Sequence, residues 1–317
     1  MVHSSGPGET EEKQDISEDV FMKLLSVLTS EGPRLAAELK GGVLVFAEAA
    51  ASQHRKSVEL PLTLQEIFSS GEDFDYFAPV MLSILKDPES EGYLRPLGQV
   101  TPTQLFQPRN ILCVGLNYRD HAEESNIAPP AQPVFFAKWV NAASANQQPI
   151  VLPPDTNEVD YEAELAVVIG RKCRGVSAQD ALEYVAGYTC MNDVSARDFQ
   201  RGDGQWVRAK SQDTFAPFGP FLVTKDELTD PQILPIRCLV NGRLLQNSNT
   251  ARMIFGVREL IAFISRGVTL YPGDIISTGT PHGVGFAQKP PVFLHDGDEV
   301  VVEIDGIGRL SNPVKST

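Results

Sequence analysis

Asp160-Tyr161-Glu162-Ala163-Glu164-Leu165-Ala166-Val167-Val168-Ile169-Gly170 is the stretch on which the reading of the chain turns. Its apolar, β-branched run closed by Gly170 has the form of a strand, and strand side chains alternate between two faces. Glu162 and Glu164 therefore share one face. Tyr161, Ala163, Leu165, Val167 and Ile169 share the other and are expected to face the core. Two carboxylates about 7 Å apart along a strand repel each other unless something positive sits between them. A hard dication that takes oxygen ligands, such as Mg²⁺ or Ca²⁺, would relieve the repulsion. A solvated polar face would relieve it too.

Downstream, Ser177-Ala178-Gln179-Asp180 has the form of a capping box, and predicts a helix ending before Gly187. Tyr188 to Asn192 then reads as a strand, and Asp193 at its end offers a third carboxylate. Three carboxylates with water completing the shell suit Mg²⁺ or Mn²⁺. Lys210, in Lys210-Ser211-Gln212-Asp213-Thr214-Phe215, is a candidate point charge for an oxyanion or carboxylate, although a lone lysine is ordinarily solvated. Asn241-Gly242 between two β-like runs signals a hairpin, and Val257 to Ser265 an amphipathic helix. Gly273 to Pro281 joins a buried strand to a Gly-rich turn whose hydroxyls and amides suit an anion. Asp298 to Ile304 is a last strand, turning at Asp305-Gly306.

Upstream, Ile111 to Gly115 reads as a buried strand, and residues 118 to 125 as a short helix. On that helix His121 and Glu124 stand at i and i+3, on one side. A carboxylate beside an imidazole fixes its tautomer and raises its basicity, which makes a general base able to activate water. Asn126 to Pro130 reads as a hinge-like loop that would let this helix act as a lid, and Val134 to Lys138 as a strand with a basic end. Hairpins and short strands with few helices argue a mainly β roll or sandwich from about residue 109 onward.

The region before it holds no constellation of titratable groups. Residues 1–16 read as a disordered acidic tail. Phe21, Leu24, Leu25 and Leu28 recur at helical spacing and predict a helix stopped by Gly32-Pro33. A short strand at Val43 to Phe46, a capped helix from Thr63 through Ser69 and a helix from Phe77 to Leu85 complete a small α/β module over residues 17–108.

The chain has 317 residues, 42% of them hydrophobic and 21% charged, enough for a large core. A formal net charge of -14 argues against nucleic acid or an anionic membrane as partner, since both would repel it. No apolar run reaches the ~20 residues of a membrane helix. The acidic N-terminus has neither signal-peptide nor transit-peptide character, so a cytoplasmic location is expected. Cys113, Cys173, Cys190 and Cys238 have no paired spacing and are expected as reduced thiols.

Five blocks taken together carry a resemblance: Val114-Gly115-Leu116-Asn117-Tyr118-Arg119-Asp120-His121; Asp160 to Ala166; Asn192-Asp193-Val194-Ser195-Ala196-Arg197-Asp198; Lys210 to Phe215; and Thr278-Gly279-Thr280-Pro281. In this order they resemble the fumarylacetoacetate hydrolase family, most closely its domain-containing protein 2 branch and bacterial relatives. The resemblance covers residues 109–317, and implies an α+β fold with a mainly-β mixed roll or sandwich as catalytic domain. It implies a divalent cation, usually Mg²⁺, with Mn²⁺ or Ca²⁺ as alternatives, on Glu162, Glu164 and Asp193. It further implies a catalytic His121–Glu124 dyad on a lid helix, Lys210 as catalytic lysine, Arg197 and Gln200 near the substrate, and Thr280 binding its carboxylate. A homodimer acting on a small anionic 2-oxo or dioxo acid is the matching expectation.

A 2-oxo acid chelating the cation would form an enolate at reduced cost. In a 2,4-dioxo acid, water activated by His121 would attack the distal carbonyl, and the bond to C3 would break with that enolate as the leaving group. The leading expectation is thus a Mg²⁺-dependent hydrolase of an acylpyruvate-like or 2,4-dioxo acid. A keto–enol tautomerase or isomerase, for example of oxaloacetate, and a decarboxylase would run through the same enolate, and the motifs leave all three open.

Overall fold

A computed structural model of the protein describes residues 22–52 and 60–317. The acidic tail expected at residues 1–16 lies outside the described residues, as does Phe21. The dominant feature is a twelve-stranded mixed sheet. From one end its main path runs through Arg95–Pro96, Gly42–Val45, Gly32–Leu39, Lys23–Thr29, Ala216–Thr224, Val185–Asn192, Ala163–Ile169, Ile275–Ser277, Ile111–Gly115 and Val134–Lys138. Neighbours on this path are antiparallel except Ile275–Ser277 and Ile111–Gly115, which run parallel.

A five-stranded sheet, in the order Arg243–Asn249, Pro235–Val240, Glu299–Ile304, Gly308–Ser316 and Ile150–Leu152, packs against the strands around Ala163–Ile169. Its inward face follows the period of two: Ile236, Cys238 and Val240 are buried, and the residues between them are half-buried. Asn241 and Gly242 both take positive φ at the predicted hairpin, as a tight two-residue turn requires. The α+β, sheet-rich architecture is as expected.

Ala163–Ile169 is the centre of this arrangement. It pairs with Val185–Asn192 on one side and Ile275–Ser277 on the other, and all seven of its residues are buried. Glu164 is thus as buried as Leu165, and an exposed polar face is excluded. The four cysteines are free and buried, as expected, and burial pushes the thiols of Cys173 and Cys190 up to about 11 and about 12.

Three element predictions fail, one of them at the end of the chain: Glu299–Ile304 is not the last strand, because the turn at Asp305-Gly306 leads into Gly308–Ser316, which pairs back on it. The helix expected across Leu24, Leu25 and Leu28 is the strand Lys23–Thr29, turning back at Gly32 into Gly32–Leu39 and pairing outward with Ala216–Thr224. Leu24, Leu25 and Val27 are buried while Leu28 is exposed, so pairing on two sides overrides a spacing that suited either state. Ser177 does bond the Asp180 amide, but only the 3₁₀ turn Ala181–Tyr184 follows, and the strand Val185–Asn192 runs straight through Gly187. A side chain there would meet the Val223 carbonyl at 2.2 Å, so the close approach of the neighbouring strand requires glycine. The strand at Gly42–Val45 and the helices Leu64–Ser69, Ala78–Leu85 and Val257–Ser265 are found where predicted. Among the described residues no helix is long and apolar enough to cross a membrane.

Candidate active site

Two adjacent strand ends deliver the acidic groups to one place. Glu162 immediately precedes the central strand and Glu164 lies within it. Asp193 follows the neighbouring strand and is held by its amide on the Glu162 carbonyl at 2.9 Å. All three are buried, and one oxygen from each lies within 4.8 Å of the others, closer than strand rise alone implies.

Lys210 is not the solvated lysine that base composition favours. It closes the short helix Val207–Lys210, is 2% exposed, and donates to Glu162 Oε2 and Asp193 Oδ2 at 2.8 Å each. Lys138, the last residue of its strand, is equally buried and donates to Asp193 Oδ1 at 2.5 Å. Arg197, opening the helix Arg197–Asp203, donates through Nη2 to Glu162 Oε1 at 2.6 Å, through Nε to Asp160 Oδ2 at 2.8 Å, and through Nη1 to Gln200 Oε1 at 2.9 Å. Burial alone would raise the Glu162 carboxyl, but Lys210 and Arg197 outweigh it and hold it down at about 2. Burial would likewise lower Lys210, and Asp193 with Glu162 reverse this and raise it.

Glu164 differs. It accepts from Ser277 Oγ at 2.5 Å and from the Gly279 amide at 2.9 Å, and no basic side chain lies within ion-pair distance among the described residues. Burial, then the charges of Asp193 and Glu162, push its carboxyl well up. A buried carboxylate without a counter-charge, converging with two others, is the donor chemistry a hard dication fits.

His121 and Glu124 meet as predicted on the helix Arg119–Glu124, with His121 Nδ1 3.1 Å from Glu124 Oε2. The other Glu124 oxygen accepts the Gly283 amide at 2.9 Å, tying the dyad to the turn that carries Thr280. Thr280 donates its hydroxyl to the Ala163 carbonyl at 3.0 Å and accepts from Gln246 Nε2 at 2.8 Å, so its proton is already committed. A cavity of about 360 Å³ joins these groups: His121, Glu162, Glu164, Asp193, Arg197, Gln200, Lys210 and Thr280 all line it, and Glu124 stands behind His121. Its remaining wall is largely apolar, including Phe136, Trp206 and Phe286.

Sequence reasoning missed Lys138 and Asp160. Lys138 was visible only as the basic end of a strand, although a lysine closing an apolar run is itself a sign of a buried partner. Asp160 accepts from Arg197 and from the amides of Tyr161, Gly285 and Phe286, all within 3.1 Å, and so locks the arginine to a loop that lies 125 residues beyond Asp160 in the chain. That partnership has no local signal.

The family model described as "Fumarylacetoacetate (FAA) hydrolase C-terminal" matches residues 110–315. A Xenopus laevis protein named as a mitochondrial oxaloacetate tautomerase is 42% identical over 309 residues, 95% of this chain and 93% of its own. A human protein of the same naming is 50% identical over 259 residues, 80% of each chain. Among solved structures, fumarylacetoacetate hydrolase from Exiguobacterium antarcticum superposes with a TM-score of 0.79 at 36% identity, covering 93% of this chain and all of that one. The mitochondrial names overturn the cytoplasmic location expected from the N-terminal composition, which is a weak guide because targeting is read by receptors and leaves the fold unchanged. With most of the chain inside the family model and close similarity to relatives along nearly its whole length, this protein is an enzyme of the fumarylacetoacetate hydrolase family.

Proposed function

We propose that the protein is a divalent-metal-dependent keto–enol tautomerase of oxaloacetate or a close 2-oxo acid. The carbon–carbon hydrolase expected from sequence gives way to this reading because the similar Xenopus and human proteins are named oxaloacetate tautomerases. The observation that carries it is structural: His121, backed by Glu124, shares one small cavity with three carboxylates and Lys210. Glu162, Glu164 and Asp193 would hold the cation, most simply Mg²⁺, which lowers the cost of negative charge on the oxygen of a bound 2-oxo acid.

The remaining chemistry belongs to the side chains. Glu124 on Nδ1 would leave Nε2 of His121 as the proton acceptor, to take a proton from C3 and to return one. Lys210 has three N–H bonds and spends two on Glu162 and Asp193, so one remains for the developing enolate oxygen. Hydrolysis would in addition need a second oxyanion partner at the distal carbonyl. Arg197 spends three of its five N–H bonds on Asp160, Glu162 and Gln200, and the two left would serve as that partner, so donor count does not separate the two reactions. The homodimer is part of the same proposal: Val134, Phe135, Trp139 and Val140 leave an apolar surface at the outer strand, Val134–Lys138, and just beyond it.

The test follows the enol absorbance of oxaloacetate with Mg²⁺. The expected result is accelerated loss without fragmentation, abolished by EDTA and by His121→Ala. Release of pyruvate and a free acid from an acylpyruvate, with no acceleration of oxaloacetate, would return the reading to a hydrolase.

A further inference from the structure

We propose that Arg201 recognises the distal carboxylate of a dicarboxylic 2-oxo acid, so that the cavity selects dianions over monoanions. The inference rests on the reading of this cavity as a 2-oxo acid site, and adds to it the class of substrate taken.

Arg197, Gln200 and Arg201 stand at i, i+3 and i+4 of the helix Arg197–Asp203, and all three line the cavity. The cations of the wall are not equivalent. Arg197 and Lys210 are buried and their charge is matched by Asp160, Glu162 and Asp193. Arg201 is 60% exposed at its side chain and, among the described residues, makes a single ion pair, Nη2 to Glu158 Oε2 at 2.5 Å. An exposed pair of this kind contributes little, so an incoming carboxylate can take the guanidinium over. The planar fork can then bind that carboxylate through two parallel N–H bonds.

Position agrees with this. Four residues of helix separate Arg201 from Arg197 by about 6 Å along the axis, comparable to the length of a four-carbon diacid. Gln200 spends its carbonyl oxygen on Arg197, which leaves its amide hydrogens as further donors at the same end of the cavity. One carboxylate with its adjacent oxygen would occupy the end near Glu162, Glu164 and Asp193, and the second would lie toward Gln200 and Arg201.

The test compares L-malate with L-lactate by calorimetry on the Mg²⁺-loaded protein. These ligands share the carboxylate and adjacent hydroxyl and differ in the distal carboxylate. The wild type is expected to favour malate by about tenfold or more, Arg201→Gln to bring the ratio within about twofold, and Arg201→Lys to keep part of it. Glu158→Gln, which removes the competing carboxylate, should tighten malate binding. In turnover, Arg201→Gln should raise KM for oxaloacetate ~10- to 100-fold with little change in kcat, the pattern of lost uniform binding. A preference for malate that survives in Arg201→Gln, or a wild type without one, overturns the proposal. A preference that depends on Arg201 in a protein that does not accelerate oxaloacetate enol decay would leave this inference standing and remove the tautomerase reading.

Discussion

Glu164 sits in the interior with a hydroxyl and a backbone amide as partners, and with two carboxylates as its nearest charges. Mg²⁺ is therefore expected to raise the melting temperature of the wild type. Glu164→Gln should lose that shift while remaining at least as stable without metal, because it removes an unmatched buried charge. Scanning calorimetry with and without EDTA checks both halves. Glu162 is the opposite case. Its folded pKa of about 2 lies below the ordinary 4.5, so the ionised form stabilises the fold above pH 4.5, and the contribution is lost as pH falls toward 2. In EDTA the fold should lose stability over that window, and acid unfolding of Glu162→Gln should lack this loss. Lys138→Met leaves Asp193 with one cation instead of two, and should cost about 3–5 kcal/mol in denaturant unfolding, largely restored by adding Asp193→Asn.

Among the elements, the helix Arg119–Glu124 has six residues and too little intrinsic stability to hold the His121–Glu124 pair in place by itself. Its anchors are tertiary. Asp120 Oδ2 accepts Ser248 Oγ at 2.5 Å and lies 3.2 Å from His282 Nδ1, and Glu124 accepts the Gly283 amide. Ser248→Ala should accelerate amide exchange over residues 119–125 and lower kcat about tenfold while the global unfolding midpoint barely moves. The loop behind Arg197 is as tightly built: a Cβ on Gly285 would lie 1.9 Å from the Val292 carbonyl and 2.5 Å from Asp160 Oδ1. Local reasoning succeeds where the signal is itself local. Thr63 caps Leu64–Ser69 by accepting the Glu66 amide at 3.1 Å, as its spacing indicates. It fails at Lys23–Thr29, whose strand state depends on partners distant in sequence.

On the scale of the molecule, Lys23–Thr29 pairs with Ala216–Thr224, so the N-terminal strands continue the sheet that carries the site. Phe106 packs edge-on against Phe218 and against Phe68, fastening the two regions across that seam. We therefore expect the full chain to unfold in one cooperative transition by calorimetry. A fragment limited to residues 109–317 should expose the edge of Ala216–Thr224 and aggregate, which light scattering would detect.

From its sequence alone the chain declared a sheet-rich fold, the pairing of His121 with Glu124, and an acidic set at Glu162, Glu164 and Asp193, because strand period, helical spacing and motif order are properties of neighbouring residues. Only the tertiary structure decided that the acidic face is buried against a cavity, that Lys210 and Lys138 are buried counter-ions, and that Asp160 and Arg197 tie a distant loop to the site. Burial and ion pairing depend on what packs across a strand or over a cavity. Those partners are brought together by sheet order, which no local pattern encodes.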